Sequence, residues 1–211
     1  MRLSRTAKNK KSDSDEWQFY SFGIPAGKSA EGFVTCPGMG ECGHGCYAKQ
    51  GNYVMPNTKN IRETNLEATR SKMFVPAMNQ LLFEKTKGKP LSIRIHDDGD
   101  FYNKVYLKKW YKIMDKNPDT RFYAYTKMIP LFLDKEQPEN FTLIYSFGGK
   151  WDNLIDPKRH RHSRVFRTRA SIKKHGYVDA SDNDEIAVTD PSIRIGLVYH
   201  GNHYGKEWGI Q

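Results

Sequence analysis

Segments typical of strands alternate with segments typical of helices along most of the chain, and this alternation constrains the fold more than any other feature. The strand-like segments are short and rich in aromatic and β-branched residues. They are residues 17–24, 91–96, 121–126 and 141–146, with further strands expected at 163–168 and 193–199. Helical segments are expected at residues 57–87, 103–116 and 129–135.

This alternation predicts βαβ crossovers and therefore a parallel sheet. A complete eight-unit β/α barrel typically needs about 250 residues, and the chain has 211. We therefore predict an α/β fold: a single domain with a mostly parallel sheet of repeated β/α units that forms an incomplete β/α barrel. Pro76 should kink or split the helix at 57–87. Residues 1–16 show no apolar periodicity and are predicted to be a flexible charged arm before the α/β domain of residues 17–211.

Composition excludes several classes of protein. The apolar runs are too short to cross a membrane, and the first sixteen residues contain no hydrophobic stretch of the kind found in secretory signals. Three cysteines are too few for a disulfide framework. We therefore expect a cytoplasmic protein with no membrane partner.

All three cysteines, Cys36, Cys42 and Cys46, fall in one glycine-rich loop, residues 36–46. Thiolates bind soft or borderline metals, and the glycines allow the loop to wrap until three sulfurs face one centre. A 4Fe–4S cluster with three protein thiolates leaves one iron open to another ligand. Zinc needs a fourth protein ligand, for which His44 is available. The loop lacks the paired C-x2-C spacing of structural zinc sites, which favours the cluster, and unliganded cysteines are a third interpretation. His44 and Tyr47 are candidates for contacts with a bound cofactor.

Polar residues follow several predicted strands, and chemistry in parallel α/β folds collects at the carboxyl ends of strands. His96, Asp98 and Lys127 are the candidate catalytic residues, and Asp100 and Ser146 are candidates for binding a cofactor. Each also has a structural interpretation, such as Asp100 capping a helix and Lys127 as a surface lysine. The glycine turn after Ser146 offers backbone N–H groups to an anion, and His200 would add an imidazole at the same rim.

A basic segment runs from Lys158 to Lys174 with eight Lys or Arg and no acid, and accounts for most of the net charge of +10. Residues 179–190 then carry five acids and no base. A dense basic segment binds nucleic acid phosphates without sequence preference. The alternative is that it pairs with the acidic segment within the fold or across an oligomer interface.

Four motifs together resemble the gene product 88 family of bacteriophage proteins. They are the cysteine loop ending in Cys-Tyr-Ala, the segment Ile-Arg-Ile-His-Asp-Asp-Gly-Asp-Phe at 93–101, Phe-Tyr-Ala-Tyr-Thr-Lys at 122–127, and Leu-Val-Tyr-His-Gly at 197–201. The resemblance implies a phage origin and expression in the cytoplasm of a bacterial host.

A looser similarity links the chain to radical S-adenosylmethionine enzymes, which carry a three-cysteine loop after the first strand of a partial β/α barrel. The similarity implies that the open iron of a 4Fe–4S cluster holds S-adenosylmethionine. The C-x5-C-x3-C spacing here differs from the usual C-x3-C-x2-C of those enzymes.

The leading hypothesis is a phage iron–sulfur protein whose open iron faces the barrel rim and accepts a small-molecule ligand. The sequence is compatible with an enzyme and with a non-catalytic protein. The alternative is a zinc-stabilised binding protein that contacts nucleic acid or a host factor through its basic segment.

Overall fold

A computed structural model describes residues 1–86 and 88–199. Its strands form one sheet in which all pairings are parallel, in the order β1-β2-β3-β4-β5-β7-β6. The strands are β1 Gln18–Phe22, β2 Leu91–Ile95, β3 Arg121–Thr126, β4 Phe141–Ser146, β5 His162–Phe166, β6 Val178–Asp179 and β7 Arg194–Val198. The helices are α1 Ala7–Ser12, α2 Pro56–Arg70, α3 Phe74–Lys85, α4 Lys104–Lys116, α5 Arg169–Lys174 and α6 Asp184–Thr189. The sheet curls into half of a barrel, which confirms the predicted α/β class and incomplete barrel.

The main hydrophobic core lies between the outer face of β1–β3 and helices α2, α3 and α4. Its centre is Trp110 of α4, which is fully buried and packs edge-on against Phe22 at 5.3 Å and Phe74 at 5.5 Å between ring centroids. Helix α4 begins where the Asn103 side chain accepts a hydrogen bond from the Tyr106 N–H, and its buried residues repeat every three or four positions. Because all strand pairings are parallel, the carboxyl ends of the strands lie at one rim of the sheet.

The predicted helix at 57–87 is two helices, and the break precedes the proline. Helix α2 ends at Arg70, and Pro76 lies in the first turn of α3. N–H groups of a first helical turn have no partner within the helix, so proline costs little there. The expected helix at 129–135 is only a short 3-10 turn, Ile129–Leu131.

The first sixteen residues differ from the flexible arm that the sequence predicted. Ser4 pairs with Ser21 of β1, Leu3 is 4% exposed, and α1 is capped by Thr6. The segment packs on the inner face of the sheet through polar groups: the Ser21 hydroxyl donates to Asn9 at 3.0 Å. Leu3 is the one buried hydrophobic side chain among residues 1–16, so the segment packs without apolar periodicity.

No helix in the described part of the chain is both long and apolar enough to span a bilayer.

Candidate functional site

The cysteine loop is held against the loop that follows β4 by backbone hydrogen bonds. The Cys42 N–H donates to the Gly148 carbonyl at 3.1 Å, and the Lys150 N–H donates to the Gly38 carbonyl at 3.0 Å. Met39 and Gly149 form an isolated antiparallel bridge between these contacts. The loop therefore lies across the carboxyl ends of β3 and β4, on the rim that the sequence predicted.

Two glycines of the cysteine loop are required by this close approach. A Cβ atom on Gly38 would lie 2.6 Å from the Lys127 carbonyl oxygen, and one on Gly40 would lie 2.8 Å from the Gly149 carbonyl carbon. Both neighbours are backbone atoms, which cannot move aside as a flexible side chain does. The glycines thus serve the docking of the loop as well as its curvature.

The three thiols are free and partly buried, and they lie within electrostatic reach of one another. Burial raises the pKa of Cys36 to about 12, and the charge of Asp100 adds to the effect, while the Gly27 N–H, 3.3 Å from Cys36 Sγ, opposes it. Burial also raises the pKa of Cys46, while a hydrogen bond from the Ala48 N–H acts to lower it. Across residues 1–86 and 88–199, no three Cys, His, Asp or Glu side chains stand close enough together to form a metal-binding group.

His44 and Tyr47 occupy different surroundings. His44 is exposed and its N–H closes the 3-10 turn at Glu41 with a 3.1 Å hydrogen bond. Tyr47 is 39% exposed, yet its hydroxyl is buried and donates to the Asp97 carbonyl. Burial of the hydroxyl raises the pKa of Tyr47. Tyr47 therefore links the cysteine loop to the carboxyl end of β2.

Asp97 and Asp98 form a buried ion cluster with Arg62 of α2. Arg62 Nη2 lies 2.7 Å from Asp97 Oδ2, and Arg62 Nε lies 2.7 Å from Asp98 Oδ1, with all three side chains at most 5% exposed. Burial raises the pKa of Asp98 well above its usual value, the charge of Asp97 raises it further, and Arg62 opposes both. A Cβ atom on Gly23 would lie 1.9 Å from Asp98 Oδ1, so the cluster needs glycine at the end of β1.

Asp100 connects the ends of neighbouring strands. One of its oxygens accepts from the Thr126 hydroxyl at 2.6 Å and the other from the Lys127 N–H at 2.9 Å. The Lys127 ammonium donates to the Ser146 hydroxyl at 2.6 Å, and its charge acts to lower the pKa of Cys46. Lys127, Ser146 and Asp100 thus lie together beside the cysteine loop.

His96 points into the core instead. Its Nε2 lies 2.9 Å from the Tyr106 hydroxyl, its ring packs against Phe101 at 4.6 Å, and it is 3% exposed. Burial lowers the pKa of His96 to about 3, and the charge of Arg94 contributes. The backbone is left-handed at this residue, with φ of 67°. A neutral imidazole held this way is part of the packing under α4.

A cavity of about 810 Å³ lies on the inner face of the half-barrel, between the N-terminal segment and the residues that follow the cysteine loop. Tyr47 and Tyr199 line it, and the Tyr199 hydroxyl donates to the Gly45 carbonyl at 3.1 Å. The cavity therefore begins at the cysteine loop.

Arg94 supplies positive charge to the wall of this cavity. Its Nη1 donates to Asp184 Oδ2 at 3.2 Å, while Asp184 Oδ1 lies 2.7 Å from Lys8 Nζ. Burial acts to raise the pKa of Asp184, but the charges of Lys8 and Arg94 hold this pKa below its usual value. One carboxylate is shared by two cations, so the wall retains positive charge.

The predicted anion site in the glycine turn after Ser146 is filled by the chain itself. The N–H groups of Gly148 and Gly149 donate to the two oxygens of Asp152 at 2.7 and 2.8 Å. His200, the other predicted group at this rim, lies outside the described residues.

The basic segment pairs in part with the acidic segment, which was one of the two interpretations of the sequence. Arg169 contacts Asp179 at 2.6 Å and Asp182 at 2.5 Å. Arg161 donates to the backbone carbonyls of Asp190 and Ser192. These contacts join the basic and acidic segments within the fold.

Comparison with known proteins identifies the family. The model of the family described as Gene product 88 matches residues 1–207. The chain belongs to the gene product 88 family. The Gene 88 protein of Mycobacterium phage L5 is 29% identical over 141 residues, which is 60% of this chain and 56% of that protein. The Gene 88 protein of Mycobacterium phage D29 is 27% identical over 137 residues, 60% of this chain and 55% of that protein. The chain thus spans little more than half the length of these relatives.

No solved structure matches the chain. The predicted membership of the gene product 88 family is confirmed, while the similarity to radical S-adenosylmethionine enzymes stays a prediction.

Sequence reasoning missed Arg62, Arg94 and Asp184, which carry the charge around the cavity of this gene product 88 chain. A signal for Arg62 was present: it shares its helix face with the buried residues Leu66 and Thr69, one and two turns further on. A charge on a core-facing position requires a buried partner. For Arg94, the signal was a single charged residue in an otherwise uncharged strand.

Proposed function

We propose that this phage protein binds a 4Fe–4S cluster through Cys36, Cys42 and Cys46, with one iron open toward the cavity. The observation that carries the proposal is the convergence of the only three thiols of the chain on the strand-end rim, beside a cavity of about 810 Å³. Soft thiolate donors suit iron–sulfur clusters, and three of them leave one iron without a cysteine ligand.

The sequence spacing of the three cysteines, C-x5-C-x3-C without a paired C-x2-C, favours a cluster over a structural zinc site. Among the described residues no three donors stand close enough together to hold a metal. Binding of a cluster therefore requires the cysteine loop to rearrange around it.

We further propose that the site works in the manner of radical S-adenosylmethionine enzymes. When bound, such a cluster supplies the electron that cleaves S-adenosylmethionine reductively. The Lys127 ammonium, which lies beside Cys46 and is oriented by Ser146, provides a cation for the carboxylate of that cofactor. Arg94 on the cavity wall binds an anionic group of the substrate, since its only hydrogen-bond acceptor among the described residues is Asp184.

The other rim residues have positioning roles under this proposal. Tyr47 and Tyr199 fix the cysteine loop to the strand ends through the carbonyls of Asp97 and Gly45. Asp98 compensates Arg62, and His96 supports the core, so neither is expected to contact the substrate.

The decisive experiment is anaerobic purification or reconstitution with iron and sulfide. We expect a brown protein that absorbs at about 400 nm and contains four iron and four sulfide ions per chain. Serine at any one of the three cysteines should remove most of the absorbance, whereas the control Glu41→Gln, in the same loop, should keep it. A colourless protein with one zinc per chain would refute the cluster.

The radical chemistry is tested separately on the loaded protein. Reduction with dithionite in the presence of S-adenosylmethionine should yield 5′-deoxyadenosine, and Lys127→Gln should raise the concentration of S-adenosylmethionine needed. A loaded cluster that forms no 5′-deoxyadenosine with several reductants leaves an iron–sulfur protein without this chemistry.

A further inference from the structure

A second, smaller pocket lies on the opposite face of the sheet from the cavity. It has a volume of about 310 Å³, and its walls include Lys158, Arg164, His175 and Arg194. Side chains alternate across a strand, and Val165 faces the inner cavity, so Arg164 faces outward. The pocket is therefore separate from the cysteine loop and from the proposed cluster.

The cations of this pocket have no carboxylate partner among the described residues that line it. Arg164 forms no ion pair in the described part of the chain, and its Nε is buried without an acceptor. Arg194 Nη2 donates to the His175 carbonyl at 2.7 Å. The neighbouring Asp156 accepts the Lys158 backbone N–H at 2.9 Å, not its ammonium. The cations that line this pocket repel one another, and a bound anion would reduce this repulsion.

Both guanidinium groups are held in place by aromatic rings. The Cζ atom of Arg164 lies 4.1 Å from the centroid of Phe147, and that of Arg194 lies 4.6 Å from the centroid of Tyr177. The His162 ring packs against both rings, at 5.4 and 5.5 Å. Burial is the main cause that lowers the pKa of His162, and the charges of Arg164 and Arg194 lower it further. Both guanidinium groups therefore lie near the His162 ring.

We propose that this pocket binds a phosphate group, either of a nucleic acid backbone or of a small phosphorylated molecule. Arginine presents a planar fork of donors that matches phosphate oxygens, and the ring contacts orient that fork before the ligand arrives. Phe166 and Tyr177, the phenyl and phenol rings in the wall, are at most 9% exposed and offer no surface for base stacking. Binding should therefore depend on phosphate and not on base sequence.

The test uses the full chain, with or without a cluster, and two probes: fluorescein-labelled dT12 followed by anisotropy, and AMP followed by calorimetry. Arg164→Gln and Arg194→Gln should each weaken binding about tenfold. The double variant should reduce the steepness of log K against log salt for dT12 by about 1.4, since each phosphate contact to a single strand contributes about 0.7. Arg70→Gln, which removes one exposed positive charge from the end of α2, is the matched control and should change binding less than about twofold.

Arg194 and Lys158 are exposed, so Arg194→Gln and Lys158→Gln keep the test valid if Arg164→Gln does not fold. Binding of dT12 that is lost in these variants supports a nucleic acid ligand. Binding of AMP alone, lost in the same variants, supports a small phosphorylated ligand. If neither probe binds at low salt, or if the pocket variants bind as the Arg70→Gln control does, the proposal is wrong.

Discussion

Replacing Arg62 by methionine should destabilise the protein by about 3–5 kcal/mol. Methionine keeps much of the side-chain volume and removes the cation between Asp97 and Asp98. Both contacts of Arg62 are 2.7 Å long, and the three side chains are at most 5% exposed, so water cannot replace the lost charge. Removing one partner of a buried ion pair typically costs this much, because the remaining charge is left without compensation.

The cost should also depend on pH, with a definite sign. Burial and Asp97 already raise the pKa of Asp98, and loss of Arg62 raises it further. Between the unfolded carboxyl pKa of about 3.9 and the raised folded value, the unfolded chain releases a proton that the folded chain retains. Stability therefore falls as pH rises, and in the variant this fall extends to a higher pH than in the wild type, so the penalty of Arg62→Met should be at least as large at pH 8 as at pH 5.

Urea unfolding at both pH values, followed by circular dichroism, measures the penalty. Arg70→Met on the same helix is the control: its guanidinium is exposed and 4.0 Å from Glu31, so it should cost less than about 1 kcal/mol. Adding Asp97→Asn and Asp98→Asn to Arg62→Met should recover at least half of the loss. A penalty no larger than that of the control, or one that becomes smaller from pH 5 to pH 8, would refute the buried ion cluster.

Three further predictions concern the rim and the core. Gly38→Ala should detach the cysteine loop, because the new Cβ would lie 2.6 Å from the Lys127 carbonyl oxygen. The variant should show faster proteolysis within residues 36–46 and a lower iron content. Wild-type values for both would contradict this. His96→Gln should reduce the loss of stability on acidification between pH 6.5 and about 3. In the wild type the folded chain keeps this imidazole neutral while the unfolded chain protonates it, which lowers the free energy of unfolding by about 1.4 kcal/mol per pH unit. An unchanged dependence of the urea midpoint on pH would oppose this. Asp152→Ala should cost about 1.5–3 kcal/mol by removing the acceptor of two amides in the glycine turn, and a thermal midpoint equal to that of the exposed variant Glu41→Gln would contradict it.

Local patterns predicted most of the secondary structure. The strands expected at residues 121–126 and 141–146 coincide with β3 and β4, because short aromatic and β-branched runs between turn residues have few alternatives. Helix α4 begins one residue after its predicted start, where Asn103 caps it. The parallel order of the sheet followed from the alternation of elements.

The N-terminal segment shows where such patterns fail. Helix α1 is stabilised by two distant contacts. Asn9 accepts a hydrogen bond from the Ser21 hydroxyl, and the Ser12 hydroxyl accepts one from the Asp184 N–H at the start of α6, 172 residues away. No local signal reports a contact at that separation. The same reason explains why the two-residue strand β6 was missed, since it exists only through its pairing with β7.

For the site, the amino-acid order was enough to bring the cysteines, Asp100, Lys127 and Ser146 to one rim, because residues after parallel strands share that edge of a sheet. It did not reveal that His96 turns into the core, that Arg62 neutralises the acidic turn, or that Asp152 fills the glycine turn. Those outcomes depend on which distant side chains compete for each buried charge and each backbone amide. That competition is resolved only when the helices pack on the sheet, because burial then removes water as an alternative partner.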